Sequence, residues 1–174
     1  MKENLMVVCY DFALARRISV SLSGFLEMRY FDMFDMFRFN NAPHSLSEIL
    51  KINGMEYAIK EMRSVLKTEL DFSGAVFVAE PKMLQLNRDL FERMKESNLV
   101  LFLKNDYKSD YVVREKSLFK SEEDKNFFAL QIDEVTEIGN DIETNLADLV
   151  VNIEGLTYEQ IKEKVQNALE NYSG

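Results

Sequence analysis

The residues best placed to do chemistry lie between Cys9 and Arg17, in the segment CYDFALARR. Leu5 to Val8 reads as a short buried strand and Ala13 to Leu26 as the amphipathic helix that follows, so this segment links a strand to a helix. Such a link cradles phosphate when glycines let backbone N–H groups close around the anion and a lysine reaches its terminal oxygens. Here the link holds no glycine and no lysine. What it offers is Arg16 and Arg17 near the helix start, where free N–H groups and the helix dipole favour anions. Two readings of the pair stand: an anion-binding site, or two solvated arginines paired with nearby acids. Asp11, Asp32 and Asp35 are oxygen donors of the kind Mg²⁺ takes, but their spacing is no metal pattern and scattered surface acids is the preferred reading. His44 is the single histidine, with no second histidine or paired cysteine to share zinc, so no metal site is expected. Cys9 reads as a small buried residue at a strand end rather than a nucleophile.

The whole chain bounds what these residues can serve. Its 174 residues fit one domain, 1–174, with a substantial core. One cysteine excludes an internal disulfide framework and suits a reducing, cytoplasmic setting. No basic, apolar and small-residue series opens the sequence, so a cleaved signal peptide is not expected. No apolar stretch reaches the roughly 18–20 residues needed to cross a bilayer, which argues against membrane insertion. A net charge of −9 argues against general affinity for nucleic acid.

Short apolar runs alternate with longer helical patterns, as in a parallel α/β sheet. Strands are predicted at 5–8, around Tyr30–Phe31, at AVFVA (75–79), at LVLFL (99–103) and over 149–153. Ser45 with Glu48 and Thr157 with Gln160 have the spacing of capping boxes, opening helices of which the last runs to about Asn171. Gly54 is expected to stop the first of these, a further helix covers Met55 to Thr68, and another runs from Leu84 to Glu96. Asn105 to Lys125 is charged and reads as irregular, a lid-like segment over the sheet edge. The expectation is a three-layer α/β/α domain around a mainly parallel five-stranded sheet.

In this order the chain resembles the shikimate kinase family, a branch of the P-loop kinase fold. The blocks that carry the resemblance are SLSEILKINGMEYAIKEM (45–62), NRDLFERMKESNLVLFLK (87–104) and, above all, ADLVVNIEGLTYEQIKEKV (147–165). The functional positions that the resemblance implies are mostly altered. A gapless register from Cys9 puts the family's loop glycines on Cys9, Phe12 and Leu14, its lysine on Ala15 and its two hydroxyl residues on Arg16 and Arg17. Asp32 falls on the first member of the family's Asp-x-Asp pair and Phe34 on the second, while the substrate arginine falls on Ile59. The Gly-Gly-Gly turn becomes Glu80-Pro81-Lys82, and the late Arg-x-Pro-Leu-Tyr segment becomes GNDIE, Gly139 to Glu143. Arg114 lies in the region of the lid arginine without a secure match. Asp32 alone carries over, as a vestige.

Phosphoryl transfer rests on positioning and electrostatic stabilisation of phosphates and their Mg²⁺. Losing several of those groups together leads to the expectation of a non-catalytic kinase-like protein with a binding, assembly or regulatory role, needing no cofactor. An active small-molecule kinase with unorthodox contacts to ATP and Mg²⁺, or an anion sensor working through Arg16 and Arg17, are the alternatives. A protein partner is expected, and the segment MRYFDMFDMFRF (28–39) suggests where: eight of its twelve residues are Met, Tyr or Phe. Met33, Phe34, Met36, Phe37 and Phe39 either form an exposed partner surface or fill the vacated cleft and complete the core.

Overall fold

The structure, a computed structural model, describes residues 2–118 and 121–172. Strands β1 (Asn4–Val8), β2 (Arg29–Asp32), β3 (Ala75–Ala79), β4 (Asn98–Lys104) and β5 (Leu149–Asn152) form one sheet in the order β2-β3-β1-β4-β5, with every pairing parallel. β1 and β3 are buried along their whole length, which is why they read as unbroken apolar runs rather than alternating ones. Helices cover both faces, giving the expected three layers.

Ten α-helices are described: α1 (Phe12–Phe25), α2 (Met33–Asn40), α3 (Leu46–Asn53), α4 (Met55–Glu69), α5 (Pro81–Leu86), α6 (Arg88–Ser97), α7 (Tyr107–Leu118), α8 (Glu122–Phe128), α9 (Ile132–Asp141) and α10 (Tyr158–Glu170). A π-helical turn, Ile142–Leu146, joins α9 to β5. Ala15, Ile18 and Leu22 of α1 and Ala58, Met62, Val65 and Leu66 of α4 recur at helical spacing and enter the core. Both expected capping boxes close, at Ser45–Glu48 and Thr157–Gln160. Gly54 ends α3 at φ 82°, a conformation that a side chain at this junction would strain.

Two expectations are corrected, and one helix is added that the sequence reading did not assign. The strand expected around Tyr30–Phe31 is β2, and the Met- and Phe-rich segment after it is helical. Asp32 turns the chain, accepting hydrogen bonds from the N–H groups of Phe34 (2.8 Å) and Asp35 (3.3 Å) and so opening α2. The helix expected over 84–96 is two helices, α5 and α6. They break at Asn87, whose backbone leaves the helical region while its amide donates to the Met83 carbonyl at 3.1 Å. Asn105 to Lys125 is helical rather than irregular, as α7 and the first turn of α8, with residues 119 and 120 of the lid-like span outside the described residues. Its helicity rests on tertiary packing. Tyr107 lies against Gly139 of α9, where a Cβ would collide with the ring.

Candidate functional site

In open parallel sheets, ligands bind outside the carboxyl ends of the strands. There the β1–α1 link is only Cys9, Tyr10 and Asp11. Asp11 folds its carboxylate onto the start of α1, where Oδ1 accepts the Leu14 N–H at 3.0 Å. The chain's own anion thus occupies a helix terminus that attracts anions. Tyr10 is fully buried and its hydroxyl donates to the Val135 carbonyl of α9 at 2.7 Å. Burial pushes its phenol upward, and the nearby Glu80 charge adds to the shift. Cys9 is also fully buried, and its thiol is raised by burial and by the charges of Asp110 and Asp11.

The two arginines do not converge. Arg16 Nε donates to Asp32 Oδ2, and its guanidinium lies 4.7 Å from the centre of the Phe12 ring. Arg17 stacks at 4.0 Å on Tyr158 of α10, whose hydroxyl donates to the Arg17 carbonyl. Neighbours on a helix point about 100° apart, which separates them. Asp32 is buried, shared between the start of α2, Arg16 and the Tyr30 hydroxyl. Asp35 pairs with Arg38 at 3.4 Å on the surface, and among the described residues no group of three acidic, histidine or cysteine side chains is arranged to hold a metal ion. His44 is exposed.

The end of β3 is equally closed. Glu80 caps α5, taking the Met83 N–H on Oε2 at 3.2 Å, while Oε1 accepts Arg114 Nε at 2.9 Å in a fully buried ion pair. Lys82 donates to the carbonyls of Phe127 (2.6 Å) and Ala129 (3.0 Å), tying α5 to the end of α8. Asp110, buried in the first turn of α7, has its carboxyl pushed up to about 7 by burial, with Asp106 and Asp11 adding to the shift and a backbone hydrogen bond at Asn105 opposing it.

Met33, Phe34 and Phe37 are core residues, so the exposed-surface reading is corrected for these three. They sit on the inner face of the helix that Asp32 initiates. Met36 is half-buried, and Phe39 stands 84% exposed.

The parallel order β2-β3-β1-β4-β5 with its helices can be set beside solved proteins. Shikimate kinase from Aquifex aeolicus superposes with a TM-score of 0.70 at 18% identity, over 96% of each chain. Shikimate kinase from Acinetobacter baumannii, solved in complex with shikimate, gives 0.72 at 11% identity, over 100% of this chain and 97% of that one. The fold is that of shikimate kinase. A gluconokinase from Sinorhizobium meliloti shares it more loosely, with a TM-score of 0.54 at 8% identity over 97% of this chain and 92% of that one. No family model and no curated protein matches the sequence.

Within this shikimate kinase fold one cavity of about 390 Å³ opens beside the start of α1. It is lined by Phe12, Phe34, Phe37 and Phe128 and by Arg16, Arg38, Asp124 and the first turn of α3, with Arg16 over the Phe12 ring. Sequence reading found Arg16 and the phenylalanines but not Arg38, Asp124 or Phe128. Arg38 comes from α2, while Asp124 and Phe128 share one face of α8 at i,i+4 spacing, and nothing local in the sequence says that α2 and α8 meet. The Glu80–Arg114 pair was half visible, since both residues stood out separately.

Proposed function

We propose that this chain is a kinase-fold protein that binds rather than phosphorylates. The observation that carries this reading is the Asp11 carboxylate on the N-terminus of α1, at the end of a three-residue link. A phosphate brought there would meet a like charge and would have to displace an existing hydrogen bond. Side chains at every position of the link keep the backbone from wrapping an anion closely. Phe12 adds a ring where it is packed edge-on against Phe34 at 5.0 Å. The residues present therefore do not fit a nucleoside triphosphate with its Mg²⁺.

The Glu80–Arg114 pair supports the same reading. A mobile arginine that stabilises transferring phosphate needs to be free to meet it. Arg114 is instead buried against a carboxylate at the end of β3.

Titration of the protein with ATP and Mg²⁺ in a calorimeter, beside a coupled phosphoryl-transfer assay with shikimate, tests the proposal. The expected result is no heat of binding and no turnover. Mg²⁺-dependent turnover that is lost in Asp32→Asn would overturn it. A protein-docking role in the cytoplasm is the second reading, favoured by Phe39, which projects from the end of α2 with 84% of its surface in water.

A further inference from the structure

The cavity beside α1 is lined by two kinds of group. Its phenyl rings are set edge to face, with Phe12 and Phe34 centred 5.0 Å apart and Phe34 and Phe128 5.5 Å apart. A further ring placed among them could meet these edges and faces in the offset or edge-to-face arrangements that aromatic pairs prefer. Beside the rings stand two guanidinium groups and the start of α3, Ser45 to Ser47, a helix terminus whose N-cap amide already donates to Glu48 Oε2 at 2.7 Å, which leaves the guanidinium groups to attract a negative charge.

We infer that this cavity is a binding site for a small aryl carboxylate, with its ring among the phenylalanines and its carboxylate on Arg16 and Arg38. The inference deepens the binding role proposed above and rests on it. Arg16 spends its Nε–H on Asp32, and among the described residues none takes a hydrogen bond from its terminal nitrogens. A guanidinium has five N–H donors, so those nitrogens remain for a ligand. Among the described residues Arg38 is held by Asp35 at 3.4 Å with 69% of its side chain exposed, a pairing weak enough to exchange for a better acceptor. Carboxylate is the group that a guanidinium fork meets in bidentate fashion.

The remaining wall sets the orientation. Asp124 accepts a hydrogen bond from the Ser47 hydroxyl at 3.2 Å, and as an acceptor-only group it offers a ligand carboxylate no hydrogen bond. The acid end of the ligand is thereby directed towards Arg38 and Arg16. The volume is at the small end of ligand pockets, room for one ring and a short acidic arm. Inorganic phosphate would lose its hydration against the phenyl wall without compensation. A ring bearing several hydroxyls would lose hydrogen bonds there in the same way, because the phenylalanines return none.

The probe is 3-phenylpropionate, titrated into the full chain and followed by calorimetry and by NMR shifts of residues lining the cavity. Binding is expected with a Kd below about 1 mM. The uncharged 3-phenylpropionamide and the hydroxylated acid shikimate should each bind roughly tenfold more weakly or not at all. Arg38→Gln should weaken the acid by roughly tenfold and leave the amide unchanged, with Arg38→Lys between them. Arg38 is a surface residue, so a thermal melt of each variant should match the parent. No binding of the acid, equal binding of acid and amide, or shikimate as good as the probe would each overturn the inference. ATP with Mg²⁺ is titrated in parallel. Nucleotide turnover would defeat the non-catalytic reading without touching the carboxylate result, so the two failures are distinct.

Discussion

Arg114 Nε lies 2.9 Å from Glu80 Oε1, and both side chains are out of contact with water. A buried pair of this kind is costly to break from one side, because the remaining charge stays desolvated. Arg114→Met should cost about 3–5 kcal/mol, read from urea unfolding. Adding Glu80→Gln, which removes the stranded charge but keeps an oxygen to cap α5, should recover a large part of that loss. Additive losses in the double variant would show that the two residues are not coupled.

Asp110 makes stability depend on pH. Its folded carboxyl titrates at about 7, above the ordinary value of 3.8, so the folded protein holds a proton that the unfolded chain has released. Stability is therefore fullest below about pH 4 as far as this group is concerned, and falls as pH rises towards 7. The loss could reach about 4 kcal/mol by the time the folded group has ionised. Asp110→Asn cannot ionise, and should be more stable than the parent by about 2–4 kcal/mol at about pH 8 but nearly equal to it at about pH 4. Parallel unfolding curves for parent and variant across that range would refute this.

Asp11→Ala removes the cap of α1. The expected cost is about 1 kcal/mol, measured at about pH 5 where Asp110 is protonated and relief of its repulsion from Asp11 does not confuse the result. The variant should still bind no ATP, since the side chains from Cys9 onward remain. Gain of nucleotide binding on this single change would show that Asp11 alone had closed the site.

The segment from Met28 to Phe39 should divide sharply under mutation. Phe37→Ala, at a fully buried position, should cost about 3–5 kcal/mol. Phe34→Asp, which restores an acid at the position the family resemblance singles out, should cost several kcal/mol, because it buries a charge between Phe12 and Phe128. Phe39→Ser should stay within about 0.5 kcal/mol. Thermal melts of the three variants check the ordering.

These contrasts mark where the sequence was legible. AVFVA announced β3 to the residue, because a strand covered on both faces must be apolar throughout. Ser45 with Glu48 and Thr157 with Gln160 announced two helix starts, because that signal is local. The start of α2 was missed although its cap, Asp32, was in plain view. An aspartate after an apolar pair is as compatible with a strand end as with a helix start, and only Tyr30, Arg16 and the α2 amides together decide it. α7 was missed because its charged and apolar residues do not segregate to opposite faces, and its contacts with α9 and α1 are distant in sequence. The candidate site shared that fate. Arg16 could be singled out from its position at a helix start, but its bond to Asp32 and the cavity it lines with Arg38 depend on how separate elements meet.

The single cysteine has a use that its burial creates. Cys9 sits at the end of the central strand with none of its surface in water, and its thiol is held in the protonated, unreactive form. A thiol reagent can reach it only when the β1–α1 link breathes open. The labelling rate of the native protein is thus a clock for that motion, with no engineered probe required. A ligand seated against Phe12 should slow the clock, and one that pries the link apart should quicken it.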